Sequence, residues 1–142
     1  MLIKYIGLFV FFFSACNRIE SGKTLNESDI KYIQGLGLLD ENEIIYRFYS
    51  EFKKRNAGNF FTDKRIATYW IDERDEGKNE LSFAFYGDIV SIDTVYNAGL
   101  TFSPYMLVKK SNDQQFKVSV GGSRDQIKSF FEEALKQWNE HK

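Results

Sequence analysis

The clearest periodicity lies at the C-terminal end of the chain. Ile127, Phe130, Phe131, Ala134, Leu135 and Trp138 recur at i, i+3, i+4, i+7, i+8 and i+11, which lines them up along one stripe of a helix over residues 123–142. Ser123 with Gln126 three positions on forms a capping box, and Gly121-Gly122 breaks whatever precedes it. A helix this one-sided needs a surface to lie on, and residues 43–120 supply one in the form of short alternating runs. Residues 43–54 put Ile44, Tyr46, Phe48 and Phe52 on one face of a strand and Arg47, Glu51 and Lys53 on the other, with Ile45 and Tyr49. Arg55-Asn56-Ala57-Gly58-Asn59 reads as a turn, with a strand from Phe60 bent at Thr62-Asp63-Lys64-Arg65 and resuming over residues 66–72. A polar hairpin loop over residues 73–79, with Gly77 able to take positive φ, precedes the alternation of Leu81, Phe83 and Phe85 with Ser82 and Ala84. Gly87-Asp88 turns the chain into a strand over residues 89–96, and Asn97-Ala98-Gly99 is the next turn. Pro104, the only proline, belongs at an edge or a strand start because it cannot donate to a ladder. Strands follow over residues 105–110 and 116–120, separated by a turn at 111–114. Ahead of all these, Asn26 or Ser28 can cap a short helix through Ile30, Tyr32 and Ile33 that ends near Gly35 or Gly37. The pattern predicts a mainly β (α+β) domain: six or seven antiparallel strands curled into a barrel whose open end the terminal helix covers.

Two runs within the strands resemble a known family. Asn59-Phe60-Phe61-Thr62-Asp63-Lys64-Arg65-Ile66 is similar to the asparagine–apolar–apolar–threonine–x–x–arginine–isoleucine run of bacterial pleckstrin-homology-like (PH-like) domains. Phe85-Tyr86-Gly87-Asp88-Ile89-Val90-Ser91-Ile92 resembles their following aspartate–isoleucine–x–x–isoleucine segment. The likeness spans residues 38–138 and implies a PH-like fold. Members of that family mostly bind lipids, peptides or proteins, so the resemblance implies a binding role without naming the ligand.

The N-terminus has its own grammar. Lys4 and the terminal amine precede an apolar run over residues 5–13, shorter than the roughly 20 residues a membrane-spanning helix needs. Phe13 stands where a type I signal peptidase requires a small residue. Phe13-Ser14-Ala15-Cys16 instead resembles a bacterial lipobox, in which the thiolate of the cysteine takes up a diacylglycerol; Leu is more usual than Phe at the first position. The expected organisation is a lipoprotein signal peptide over 1–15, a lipidated Cys16 with its tether over 16–27, and a PH-like domain over 28–142. A flexible ten-residue tether would hold the domain within roughly 15–20 Å of the bilayer. Asn17 after the cysteine, by resemblance to Gram-negative sorting habits, points to the outer membrane of the cell envelope.

Composition narrows the chemistry. The 142 residues form one domain able to bury a core without disulfides, and a net charge of −1 offers no field for nucleic acid. The one cysteine is Cys16 and the one histidine is His141, so neither a nucleophile–histidine pair nor a zinc site can be assembled, and no enzyme, metal or cofactor is expected. Asp88 and Asp93 read as turn caps or solvated carboxylates, and the acidic run Asp72, Glu73, Asp75 and Glu76 lacks the glycine and distal glutamate of a calcium loop. Tyr69, Trp70, Tyr86, Tyr96 and Tyr105 read as core or cross-strand aromatics, with a ligand groove as the alternative. The Trp138 indole is expected to pack at the rim and donate to a backbone carbonyl. Lys53, Lys54 and Arg55, joined across the second strand by Lys64 and Arg65, form a candidate anionic-ligand patch. In lipid-binding relatives of the resembled family such residues hold phosphorylated headgroups. The expectation is therefore a non-enzymatic binding module of the envelope, attached to the membrane through its lipid, with a protein or envelope component as partner. The alternatives are an immunity or inhibitor lipoprotein and a binder of anionic lipid or lipopolysaccharide headgroups.

Overall fold

The computed structural model of the chain describes residues 18–97, 99 and 102–142. The expected signal peptide and Cys16, and parts of the turn at Asn97-Ala98-Gly99 and of the lead-in over 100–103, lie outside the described residues. Helix α1 (Glu27–Gly35) opens the domain, capped by the Asn26 side chain, which accepts from the Asp29 N–H. Four antiparallel strands follow in spatial order: β1 (Ile45–Tyr49), β2 (Ala57–Thr62), β3 (Arg65–Trp70) and β4 (Glu80–Phe85). A 3₁₀ turn at Tyr86–Asp88 moves the chain into a second sheet of three antiparallel strands, β5 (Ile89–Val95), β6 (Tyr105–Lys110) and β7 (Gln115–Ser119). Helix α2 (Arg124–His141) ends the chain, opened by the expected Ser123/Gln126 capping box.

Both faces of the four-stranded sheet are used. Toward the second sheet, the cross-strand row Phe61–Ile66–Ala84 meets Met106, Val108 and Val118, and Ile127, Phe130 and Phe131 of α2 close the cluster. Phe61 and Phe130 meet edge to face, 5.1 Å between ring centres at 90°. The opposite face presents Phe60–Ala67–Phe83, covered by Leu25, Ile33, Leu38 and Leu39 of the N-terminal segment. This two-sided burial is why β2 is buried at every position and shows no apolar–polar alternation.

Several expectations are corrected. No backbone ladder joins the two sheets among the described residues, so the strands form two packed sheets and the curl into a closed barrel is not seen. A register shift between Ile45 and Arg47 breaks the period of β1: Phe48 packs with Ile45 on the α1 side, and Tyr46 with Tyr49 on the other, while Ile44 and Phe52 stand exposed. The first hairpin loop ends earlier than expected, because the Asn56 and Ala57 N–H groups both return to Lys53 O and β2 starts at Ala57. Gly77 sits in a 3₁₀ turn and is not among the positive-φ residues, which are Gly37, Gly99, Gly122 and Asp113. The stretch expected to be tether is partly packed. Glu20 and Phe48 exchange backbone hydrogen bonds of 2.7 and 2.8 Å, Gly22 N–H donates to Ile45 O, and Leu25 is buried. The Trp138 indole N–H is buried without a protein acceptor among the described residues, its ring instead lying 4.7 Å from the Lys142 ammonium.

Candidate functional site

The expected basic patch is divided by the topology. Lys53, Lys54 and Arg55 lie in the loop between β1 and β2, whereas Lys64 and Arg65 lie at the turn between β2 and β3, the opposite end of β2. Six strand residues separate those ends, about 20 Å. Within the first group, Lys54 is held by Glu20 at 2.7 Å and Asp29 at 3.4 Å. Burial alone lowers its pKa, but the hydrogen bond and charge of Glu20, with Asp29, outweigh that and hold it above the ordinary lysine value. The Arg55 guanidinium stacks on Tyr32 at 5.4 Å and Lys53 stands over the exposed Phe52 ring at 5.6 Å.

Arg65 serves the fold. Its Nη2 and Nε donate to the two oxygens of buried Glu43 at 2.7 and 3.0 Å, and its guanidinium lies 5.0 and 4.8 Å from the rings of Phe83 and Phe85. The Thr62 hydroxyl donates to the same Glu43 carboxylate at 2.5 Å and accepts the N–H groups of Lys64 and Arg65. The Tyr86 hydroxyl donates to Thr62 O. The Lys64 ammonium lies 3.8 Å from the exposed Asp40. The threonine–x–x–arginine part of the sequence run therefore builds a buried polar knot, and Glu43 is the member that no motif announced.

Of the other candidates, Asp72 and Asp75 spend carboxylate oxygens on their own loop, accepting from Arg74, Asp75 and Gly77 N–H groups. The first of these backbone bonds holds Asp72 below the ordinary carboxylate range. Asp88 lies in the turn ahead of β5, and Asp93 is exposed on that strand. Tyr69 and Tyr86 are core residues whose hydroxyls donate to Lys54 O and Thr62 O, and burial raises both phenols above their ordinary pKa. His141 Nδ1 lies 2.8 Å from Gln137 O, at the end of α2, with its ring against Tyr86.

Of the aromatic candidates, Tyr69 and Trp70 line one cleft together, and Trp70 is the exposed one of the two. β7 packs across β2 and β3 of the four-stranded sheet, and beside it lies a cleft of about 780 Å³. Its floor is the cross-strand row Asn59–Thr68–Ser82 and, beyond it, Trp70 paired with Glu80; its wall is β7. The Asn59 Oδ1 accepts from the Thr68 hydroxyl at 2.9 Å and from the Ser119 N–H at 3.1 Å. Glu51 stands at the rim, where partial burial raises its pKa. The one signal for this cleft in the sequence is polar side chains at positions of β2, β3 and β4 that share a face with Phe61, Ile66 and Ala84.

No protein-family profile matches the chain, and no curated protein matches it. Among solved structures it is similar to the crystal structure of a DUF1696 family protein with a pleckstrin-homology domain from Shewanella loihica PV-4. The likeness has a TM-score of 0.47 at 15% identity and covers 80% of this chain and 97% of that one.

Proposed function

We propose that the chain is a non-enzymatic binding module of the bacterial cell envelope, built on a PH-like domain and held at the membrane by acylated Cys16. The observation that carries the binding role is the cleft beside β7, where an otherwise apolar inner sheet face turns polar and open. Four plus three antiparallel strands with an amphipathic terminal helix support the PH-like reading. Diacylglycerol with an amide-linked chain gives about three acyl groups, enough for stable anchoring. The only histidine, tied to the end of α2, speaks for a non-enzymatic role. The full chain expressed in a Gram-negative host should fractionate with membranes, and Cys16→Ser should release it. Solubilised envelope components retained by the native chain should be lost with Ser82→Trp, which fills the cleft floor. Equal retention by both would sink the role assigned to the cleft.

A second reading has its own observation. Phe52, 59% exposed, shares the β1–β2 loop with Lys53 and Arg55, and the chain enters the domain beside that loop through the Glu20–Phe48 bridge. An apolar tip flanked by cations suits an anionic lipid surface, where each cation contributes about 1 kcal/mol. In this reading the Cys16→Ser chain pellets with phosphatidylglycerol liposomes and the added changes Lys53→Glu and Arg55→Glu abolish pelleting. Undiminished pelleting would rule the loop out.

A further inference from the structure

Among the described residues, β7 ends its sheet and has β6 as its only strand neighbour. Its hydrogen-bonding parity follows from the ladder ends: Val120 N–H donates to Pro104 O at 3.1 Å and Lys110 N–H to Gln114 O at 2.8 Å. Antiparallel pairs alternate between those that exchange both backbone bonds and those that exchange none. Met106–Val118 and Val108–Phe116 are therefore the bonded pairs. Gln115, Lys117 and Ser119 direct their N–H and C=O groups away from β6, toward the cleft they line. The Ser119 N–H already has an acceptor there, the Asn59 side-chain oxygen, which occupies the place of a neighbouring strand's carbonyl. The next positions along the same edge, Lys117 and Gln115, continue that row of donors and acceptors. A lysine in an edge strand ordinarily discourages pairing. Here the Lys117 ammonium is drawn over the Tyr105 ring at 4.6 Å, on the face of the sheet and away from the edge.

We propose that the cleft takes an extended peptide segment of a partner, which adds to β7 as a further strand and aims a lysine or arginine at Trp70 and Glu80. The inference rests on the binding-module reading and specifies its partner. Trp70 is 40% exposed on the floor, with its register partner Glu80 beside it and Glu51 at the rim. An aromatic face next to carboxylates is the environment a peptide cation selects. Backbone bonding to β7 supplies affinity, and alternate side chains reaching the floor supply selectivity.

The test is selection of a displayed, fully randomised nonapeptide library on the full chain held in lipid nanodiscs, followed by fluorescence polarisation with the enriched peptides. Enrichment of alternating β-branched sequences that carry a lysine or arginine is expected. Lys117→Pro removes an N–H that faces the cleft while leaving the β6 ladder intact, and affinity should fall roughly tenfold, equivalent to about 1.4 kcal/mol. Trp70→Ala, which leaves the backbone alone, should give a comparable loss, and Glu80→Lys should shift the selected charge from basic to acidic. The proposal is overturned if no peptide is enriched, or if enriched peptides bind the Trp70→Ala and Glu80→Lys chains as well as the native one. It is also overturned if a chitotetraose ligand perturbs Trp70 fluorescence while peptides do not; that result would leave a binding module standing with a glycan as its ligand.

Discussion

At the scale of single residues, the polar knot around Glu43 makes the sharpest demand. Both Glu43 and Arg65 are buried, and the carboxylate satisfies the arginine fork together with the Thr62 hydroxyl. Removing Glu43 leaves the buried guanidinium with the exposed Asp40, 3.3 Å from its Nη2, and losing the buried partner of such a pair costs about 3–5 kcal/mol. Glu43→Ala should therefore lower the unfolding free energy by that amount, read as a lower urea midpoint at an unchanged denaturant slope. A loss below about 1 kcal/mol, the range of exposed pairs, would show that solvent reaches the guanidinium. The knot also explains why the place of Arg65 is hard to read from sequence. A basic pair at a turn looks like a solvated patch until the distant Glu43 is known to lie across it, and linear spacing carries no trace of that pairing.

At the scale of elements, α2 was legible because everything that defines it is local. The stripe, the capping box and the preceding glycines all fall within one stretch, and Ile127, Phe130, Phe131 and Ala134 are indeed the buried positions. Phe130 is fully buried and meets both Phe61 and Phe131 ring to ring. Phe130→Ala should cost about 3–5 kcal/mol, against about 1 kcal/mol for Ser123→Ala, which removes only the cap. If the two were equal, α2 would be held by its own ends and not by the sheets. Strand existence was legible too, through turn residues and alternation, but strand faces were not. β2 has no alternation to read because both sides are covered, and the irregularity at Ile45–Arg47 shifts the faces of β1 by one residue. On β4 the small residues Ser82 and Ala84 turn toward the second sheet, while Phe83 and Phe85 flank Arg65 on the other side. Large side chains alone pointed the wrong way.

For the whole molecule, Lys54 is a fastening point. Through Glu20 and Asp29 it ties the N-terminal segment and α1 to the β1–β2 loop. Its pKa in the folded chain is raised, so this contribution is complete below the ordinary lysine value of 10.5 and is lost as pH climbs through the raised value. The difference in urea midpoint between the native chain and Lys54→Met should stay level from neutrality to about pH 10 and shrink above it. A difference that vanished already near neutrality would contradict the ion pairs. The candidate cleft is almost illegible from alternation alone, since it arises where one sheet crosses another at a distance of many residues. Asn59 illustrates this: its side chain meets Ser119, sixty positions along the chain.

The Glu20–Phe48 bridge shortens the leash. Between Cys16 and the first clamped residue there are four steps of chain, at most about 14 Å when fully drawn out. A copy acylated at Cys16 would thus ride flush against the lipid surface, with little freedom to tilt. Visitors would have to glide in sideways along the bilayer or extend a thin arm beneath the domain, and bulky ones approaching from overhead would be turned away from the anchored end.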